Sequence, residues 1–186
     1  KTPKTDSAER RFLRSAQTGA MLFSHHLAST LDYFVEDRRQ YLVEELVVGE
    51  DLEKVMRHRY DFLDPHMVAH VFHCLAKGVL VAHRRQIVHR DLKPKNILVS
   101  DPANFDKVKI TDFGIAKLAE IEIQEAISGD GENQETSMSN SSTAVGALPY
   151  MSPEIIEMKG KVGLSTDVWS LGAIAYRLLC GEPPFG

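Results

Sequence analysis

The run from Ile87 to Gly114 constrains everything around it. It reads Ile-Val-His-Arg-Asp-Leu-Lys-Pro-Lys-Asn-Ile-Leu-Val and, after a turn-rich gap holding Asp101, Pro102 and Asn104, Val-Lys-Ile-Thr-Asp-Phe-Gly. Residues 97–99 and 108–111 are short β-type runs, and their spacing predicts a hairpin. A hairpin brings its outer ends together. Asp91, Asn96 and Asp112 are therefore expected to converge, with Lys93 beside them. Two carboxylates, an amide and an ammonium gathered at one point suit a divalent cation and a phosphate ester.

With 186 residues, 43% hydrophobic and 26% charged, the chain can bury a sizeable core. Its 22 basic and 26 acidic residues leave a net charge of −4, which gives no footprint for nucleic acid or an anionic membrane surface. No nucleic-acid partner is expected. No apolar run reaches the roughly 18 residues that a membrane span needs. The longest candidate, 168–180, is interrupted by Ser170 and Arg177 and reads as a buried helix. Cys74 and Cys180 lack metal-ligand spacing, which favours a reducing, cytoplasmic setting; any membrane anchor would lie outside this chain. The ends are abrupt. Lys1 opens without a start methionine and residues 182–186 stop just after a helix, so a fragment of a longer protein is expected.

Local patterns divide the chain. Phe12, Ala16, Gly19, Ala20 and Phe23 have helical period behind a cap at Asp6 or Ser7. Residues 31–35 and 41–48 form two apolar strand-like runs around a charged turn at 36–39. Asp64-Pro65 starts a helix, with proline at its first position and Val68, Val71, Phe72, Leu75, Val79 and Ala82 as its buried stripe. His66, His70, His73 and Lys77 recur on another face. Three histidines there could take a metal, but Lys77 on the same stripe favours a solvated face. Residues 128–142, rich in Gly, Ser, Asn and Glu, are expected to be mobile.

His89-Arg90-Asp91-x-Lys93-x-x-Asn96 followed by Asp112-Phe113-Gly114 resembles the catalytic loop and metal-binding motif of the eukaryotic-type protein kinases. Lys93-Pro94 looks like the serine/threonine branch, and Val-Lys-Ile-Thr-Asp-Phe-Gly-Ile-Ala-Lys looks most like bacterial members. The resemblance covers essentially the whole chain. It implies an α+β, two-lobed fold, with residues 1–47 as part of the small β-rich lobe and 48–186 as part of the large helical lobe. It also implies ATP-dependent phosphoryl transfer to Ser/Thr hydroxyls of a protein substrate, with ATP and Mg2+.

Carried over residue by residue, Asp91 would accept or orient the hydroxyl proton and Lys93 would stabilise charge on the γ-phosphoryl. Asn96 and Asp112 would hold magnesium. His89 and Phe113 would pack. Glu45 and Val47 would offer hinge backbone groups to adenine above a floor at Leu98, and Lys1 could grip the α- and β-phosphates. Arg90 would pair with a phosphate on Ser141, Ser142 or Thr143. Asp167, opening an apolar helix, would brace the catalytic-loop backbone.

Three positions depart from the family pattern. Ser15 or Ala16 stands where a glutamate pairs with the strand lysine. Ala147 replaces the threonine that contacts the catalytic aspartate and lysine. Glu44 takes the gatekeeper place, usually apolar or threonine. By strand alternation Glu44 should look into the pocket behind ATP, where it would substitute for the missing acid and hold Lys1; the alternative is that it bends out to solvent. The departures keep open a pseudokinase, a binding module with weak or no catalysis. A small-molecule phosphotransferase is opposed by the segment ending Ser152-Pro153-Glu154, which resembles a peptide-docking apparatus. The glycine-rich loop is absent from this chain, so the isolated piece is expected to be inactive.

Overall fold

A computed structural model describes residues 19–37, 39–113, 146–157 and 162–185. Lys1, Ser15, Ala16, Gly114, Ser141, Ser142 and Thr143 lie outside the described residues, as does the whole 128–142 segment. The architecture is α+β: a two-stranded hairpin, a three-stranded sheet and a helical part.

The first hairpin pairs β1 (Thr30–Glu36) antiparallel with β2 (Arg39–Glu44). It closes where Glu36 faces Arg39, with Asp37 at φ 48°. The second expected strand thus stops at Glu44 instead of running to 48. Leu46 and Val48 are 86% and 77% exposed, so neither has a neighbour to reward further pairing. The second sheet is ordered β3 (Glu50–Asp51), β4 (Ile97–Val99), β5 (Val108–Ile110), and β4–β5 is the hairpin expected from the motif. Ile97, Val99, Val108 and Ile110 point into the core, while Leu98 and Lys109 point the other way. A side chain at Gly49 would drive its Cβ into the Val99 carbonyl, so glycine is what lets β3 lie against β4.

The β4–β5 turn is tied by Asp101. Its carboxylate accepts from the Ala103 N–H at 3.0 Å and the Asn104 amide at 3.1 Å, and its carbonyl accepts from the Phe105 N–H at 2.7 Å. Phe105, at φ 55°, is fully buried against Tyr60.

Helix α1 (Leu52–Arg59) follows β3, capped by the Asp51 carboxylate on the Lys54 N–H. Helix α2 (Pro65–His83) begins as its sequence dictates: Asp64 accepts from the His66 and Met67 N–H groups, and Pro65 occupies the first turn. Its buried stripe is Val68, Val71, Cys74, Leu75, Gly78, Val79 and Ala82. Phe72 does not belong to it. It is 38% exposed, because the stripe turns toward Cys74 and Gly78 and leaves Phe72 on the rim. His66, His70, His73 and Lys77 are exposed, and His70 Nε2 lies 3.0 Å from the Phe105 carbonyl.

After a short helix α3 (Pro153–Ile156), helix α4 (Leu164–Cys180) packs against α2. It ends at Gly181, whose φ of 82° suits a left-handed cap and whose Cβ position would meet the Asp61 carbonyl. No helix among the described residues is long and apolar enough to cross a membrane.

Candidate active site

Asp167 organises the catalytic loop from inside the core. Fully buried in the first turn of α4, its carboxylate accepts the His89 N–H at 2.9 Å, the Arg90 N–H at 2.9 Å and His83 Nε2 at 2.7 Å. A buried carboxylate is tolerable only with such donors. Arg90 sits at φ 71°, a conformation that costs energy and persists because the surroundings hold it. His89 is locked as well. The Asp91 N–H donates to its Nδ1 at 3.3 Å, so the ring proton lies on Nε2 and is donated to the Thr111 carbonyl at 2.9 Å. Phe113 meets the imidazole edge-on, centroids 4.5 Å apart. Both rings are buried packing groups.

The hairpin then delivers the polar cluster. Lys93 Nζ lies 2.7 Å from Asp91 Oδ2. Asn96 Nδ2 donates to the same oxygen at 3.0 Å and to the Asp91 carbonyl at 2.9 Å. Lys93 and Asn96 are nearly buried, whereas the Asp91 carboxylate keeps access. With both bonds on Oδ2, Asp91 Oδ1 has no partner among the described residues. The Thr111 N–H donates to the Asn96 carbonyl at 2.9 Å, which brings Asp112 alongside Asn96 at φ 62°. Since the Asn96 amide nitrogen is spent on Asp91, its Oδ1 is left as an acceptor. Hard oxygens of this kind, a free amide oxygen and the carboxylate of Asp112, are the donors magnesium prefers.

The residues expected on the nucleotide side come from three elements. Leu98 on β4 is half-buried on the face away from the core. The Glu45 N–H is already bonded to the Ser29 carbonyl at 2.8 Å, so Glu45 has its carbonyl left to offer. Its carboxylate grips Lys109 Nζ at 2.6 and 2.7 Å, which holds it below the usual carboxylate range. Val47 lies in the irregular segment after β2, half-buried between exposed neighbours. Glu44 follows the expected alternation: like Leu42 it is half-buried, while Tyr41 and Val43 are exposed. Burial, then the nearby Asp112 charge, pushes its carboxyl above the ordinary value.

On the opposite side, Ala147 is buried and Tyr150 is anchored by its carbonyl, which accepts the Ser170 hydroxyl at 2.8 Å. Burial pushes the Tyr150 phenol up to about 12. Glu154 accepts the Thr166 hydroxyl at 2.8 Å.

Two partners of candidate site residues escape sequence reasoning: Lys109, paired with Glu45, and His83, paired with Asp167. Lys109 reads as an ordinary outward strand residue, with no motif signal at all. His83 reads as a helix-end residue, although its place near the C-terminus of α2 is a weak cue.

Comparison with known proteins agrees with this geometry. Residues 1–186 match the protein kinase domain family. Aurora kinase of Yarrowia lipolytica is 30% identical over 96% of this chain and 42% of its own length. Serine/threonine-protein kinase PknL of Mycobacterium tuberculosis is 33% identical over 94% of this chain and 39% of its own. The chain thus spans about two-fifths of the length of these curated relatives.

Proposed function

The chain belongs to the protein kinase family, and from that premise we propose that it carries out ATP-dependent phosphoryl transfer to serine or threonine hydroxyls of protein substrates. The observation that carries this reading is the Asp91 carboxylate, held through one oxygen by Lys93 at 2.7 Å and Asn96 at 3.0 Å with the other oxygen left over. That oxygen takes the proton as the substrate hydroxyl attacks the γ-phosphorus and the bond to ADP breaks. Lys93 neutralises charge on the transferring group. Asn96 Oδ1 and the Asp112 carboxylate would hold magnesium, which when bound offsets phosphate charge. Leu98 would underlie adenine, with the Glu45 carbonyl and Val47 backbone at its edge and Lys1 at the α- and β-phosphates.

The proposed lobes are 1–47 and 48–186, and the Glu45–Lys109 pair, with one residue from each, supports a junction there. Regulation is proposed through phosphate on Ser141, Ser142 or Thr143, paired by Arg90 next to the catalytic aspartate.

A second reading, a binding module that retains the fold without efficient transfer, is favoured by Ala147, buried and lacking a hydroxyl. One substitution separates the two. In the complete protein, Asp91→Asn should lower kcat for peptide phosphorylation by about 10²–10⁴-fold while ATP affinity by calorimetry stays nearly the same. Unchanged transfer in the variant rules out the catalytic role. ATP binding without transfer in the unmodified protein selects the binding module.

A further inference from the structure

A cleft of about 230 Å³ opens beside the catalytic lysine, and its walls are cationic. Lys93 and Lys95 come from the catalytic loop, Arg57 and Glu53 from α1, Arg177 from α4, and Gly146 closes one edge. Four basic side chains thus face one acidic lining residue. Glu53 is held between Arg57 at 3.6 Å and Arg177 at 3.9 Å, both looser than a hydrogen bond. Lys93 is committed to Asp91. Lys95 is different: it is exposed, its ammonium lies close to Gly146, and it makes no ion pair among the described residues.

Arg177 is also under-used. Its Nη1 donates to the Gly181 carbonyl, but its Nε is buried without a hydrogen-bond partner. A buried donor without an acceptor is costly, and Arg177 Nη2, 3.9 Å from Glu53, has no close anion among the described residues either.

We propose that this cleft selects protein substrates bearing an acidic side chain, carboxylate or phosphate, close to the acceptor hydroxyl. The inference rests on the kinase reading above and adds the chemical class of the substrate. The position follows from connectivity: Lys93 touches the catalytic aspartate and lines the cleft, so a peptide whose hydroxyl meets Asp91 runs past Lys95 and Arg177. A basic residue there meets like charge on three elements, and an acidic one completes their pairing. Arg177, with its planar fork, suits a carboxylate or phosphate alike.

The test uses the complete protein with Mg-ATP and three matched serine peptides, flanked by aspartate, alanine or arginine. Binding is read by fluorescence anisotropy with a non-hydrolysable ATP analogue, and kcat/KM by phosphate incorporation. The aspartate peptide should exceed the alanine peptide by about tenfold in both readouts, and the gap should shrink as salt is raised. Lys95→Glu lies on an exposed side chain and should fold; it should reverse the order of the aspartate and arginine peptides. Equal kcat/KM for all three overturns the specificity and leaves the kinase reading standing. The predicted binding order without any incorporation upholds the specificity and overturns the kinase reading. A preference for arginine in the unmodified protein, or an unchanged order in Lys95→Glu, refutes the assignment of this cleft.

Discussion

The two hairpins of this chain are built alike and live in different surroundings. β4 and β5 are three residues each, yet every inward side chain is essentially inaccessible to solvent. β1 and β2 are longer and rich in strand formers, yet Leu31, Phe34, Val35, Tyr41 and Val43 are all exposed among the described residues. Strand propensity is therefore not what separates them; neighbours are. β4–β5 is flanked by β3 and covered by α2, with Phe105 plugging its turn. Among the described residues β1–β2 joins the rest through the strand-like contact of Leu27 with Ile110, the Ala28 N–H on the Ile110 carbonyl, and the Glu45–Lys109 ion pair. One hairpin is a platform in the core. The other is held at its base.

The largest effect that would sharpen this contrast is expected at Asp167. Asp167→Ala leaves the buried His89 N–H, the partly buried Arg90 N–H and His83 without their acceptor, and should cost about 3–5 kcal/mol of stability. Turnover should fall with it, since the catalytic loop loses its brace. Denaturant unfolding of the complete protein checks this, and a loss below about 1 kcal/mol would break the claim that the platform is organised from α4.

Next comes a matched pair of aromatic truncations. Phe105→Ala empties a fully buried site and should cost about 3–5 kcal/mol, lowering Tm by about 10 °C. Phe34→Ala removes an exposed ring stacked on Tyr41 at 5.0 Å and should cost about 1 kcal/mol or less. Similar shifts in a thermal melt would show that the hairpins are equally embedded.

Two adjacent carboxylates then test the boundary with opposite signs. Glu44 titrates above its ordinary value in the folded state, so folding favours its protonated form. Its contribution to stability falls as pH rises from the ordinary carboxylate value through the raised one. Glu44→Gln should raise Tm at neutral pH and flatten that part of the stability–pH curve. A variant with an unchanged slope would mean that the pocket does not penalise the charge.

Glu45 is depressed by Lys109, so its stabilisation is complete above the ordinary carboxylate value and is lost as pH falls through the lower folded value. Glu45→Gln should cost about 0.2–1 kcal/mol at neutral pH, the range for partly exposed ion pairs, and the deficit should vanish in acid. A deficit that persists in acid would point to lost packing instead of a lost charge pair.

Much of the site was legible because its signals are local. The eight residues from His89 to Asn96, the β4–β5 turn chemistry and the Asp64-Pro65 start each operate within a few positions. The outward–inward alternation put Glu44 on the half-buried side with Leu42 for the same reason. Phe72 was misread because helical periodicity gives a stripe but not its width; the helix turns Cys74 and Gly78 to the core instead. Helix α1 went unread, since eight residues with three basic groups in the last turn carry a weak apolar pattern.

Short-range chemistry settled the catalytic loop, the hairpin that returns Asp112 to Asn96, and the helix that follows Pro65, because caps, turns and strand periods depend only on neighbours along the chain. Docking decided the rest. Lys109 meets Glu45 from 64 positions away, and His83 meets Asp167 from 84. Arg177 reaches Glu53 only once α4 lies beside α1. No period or motif encodes such meetings: they follow from which faces bury together, and that is a property of the folded whole.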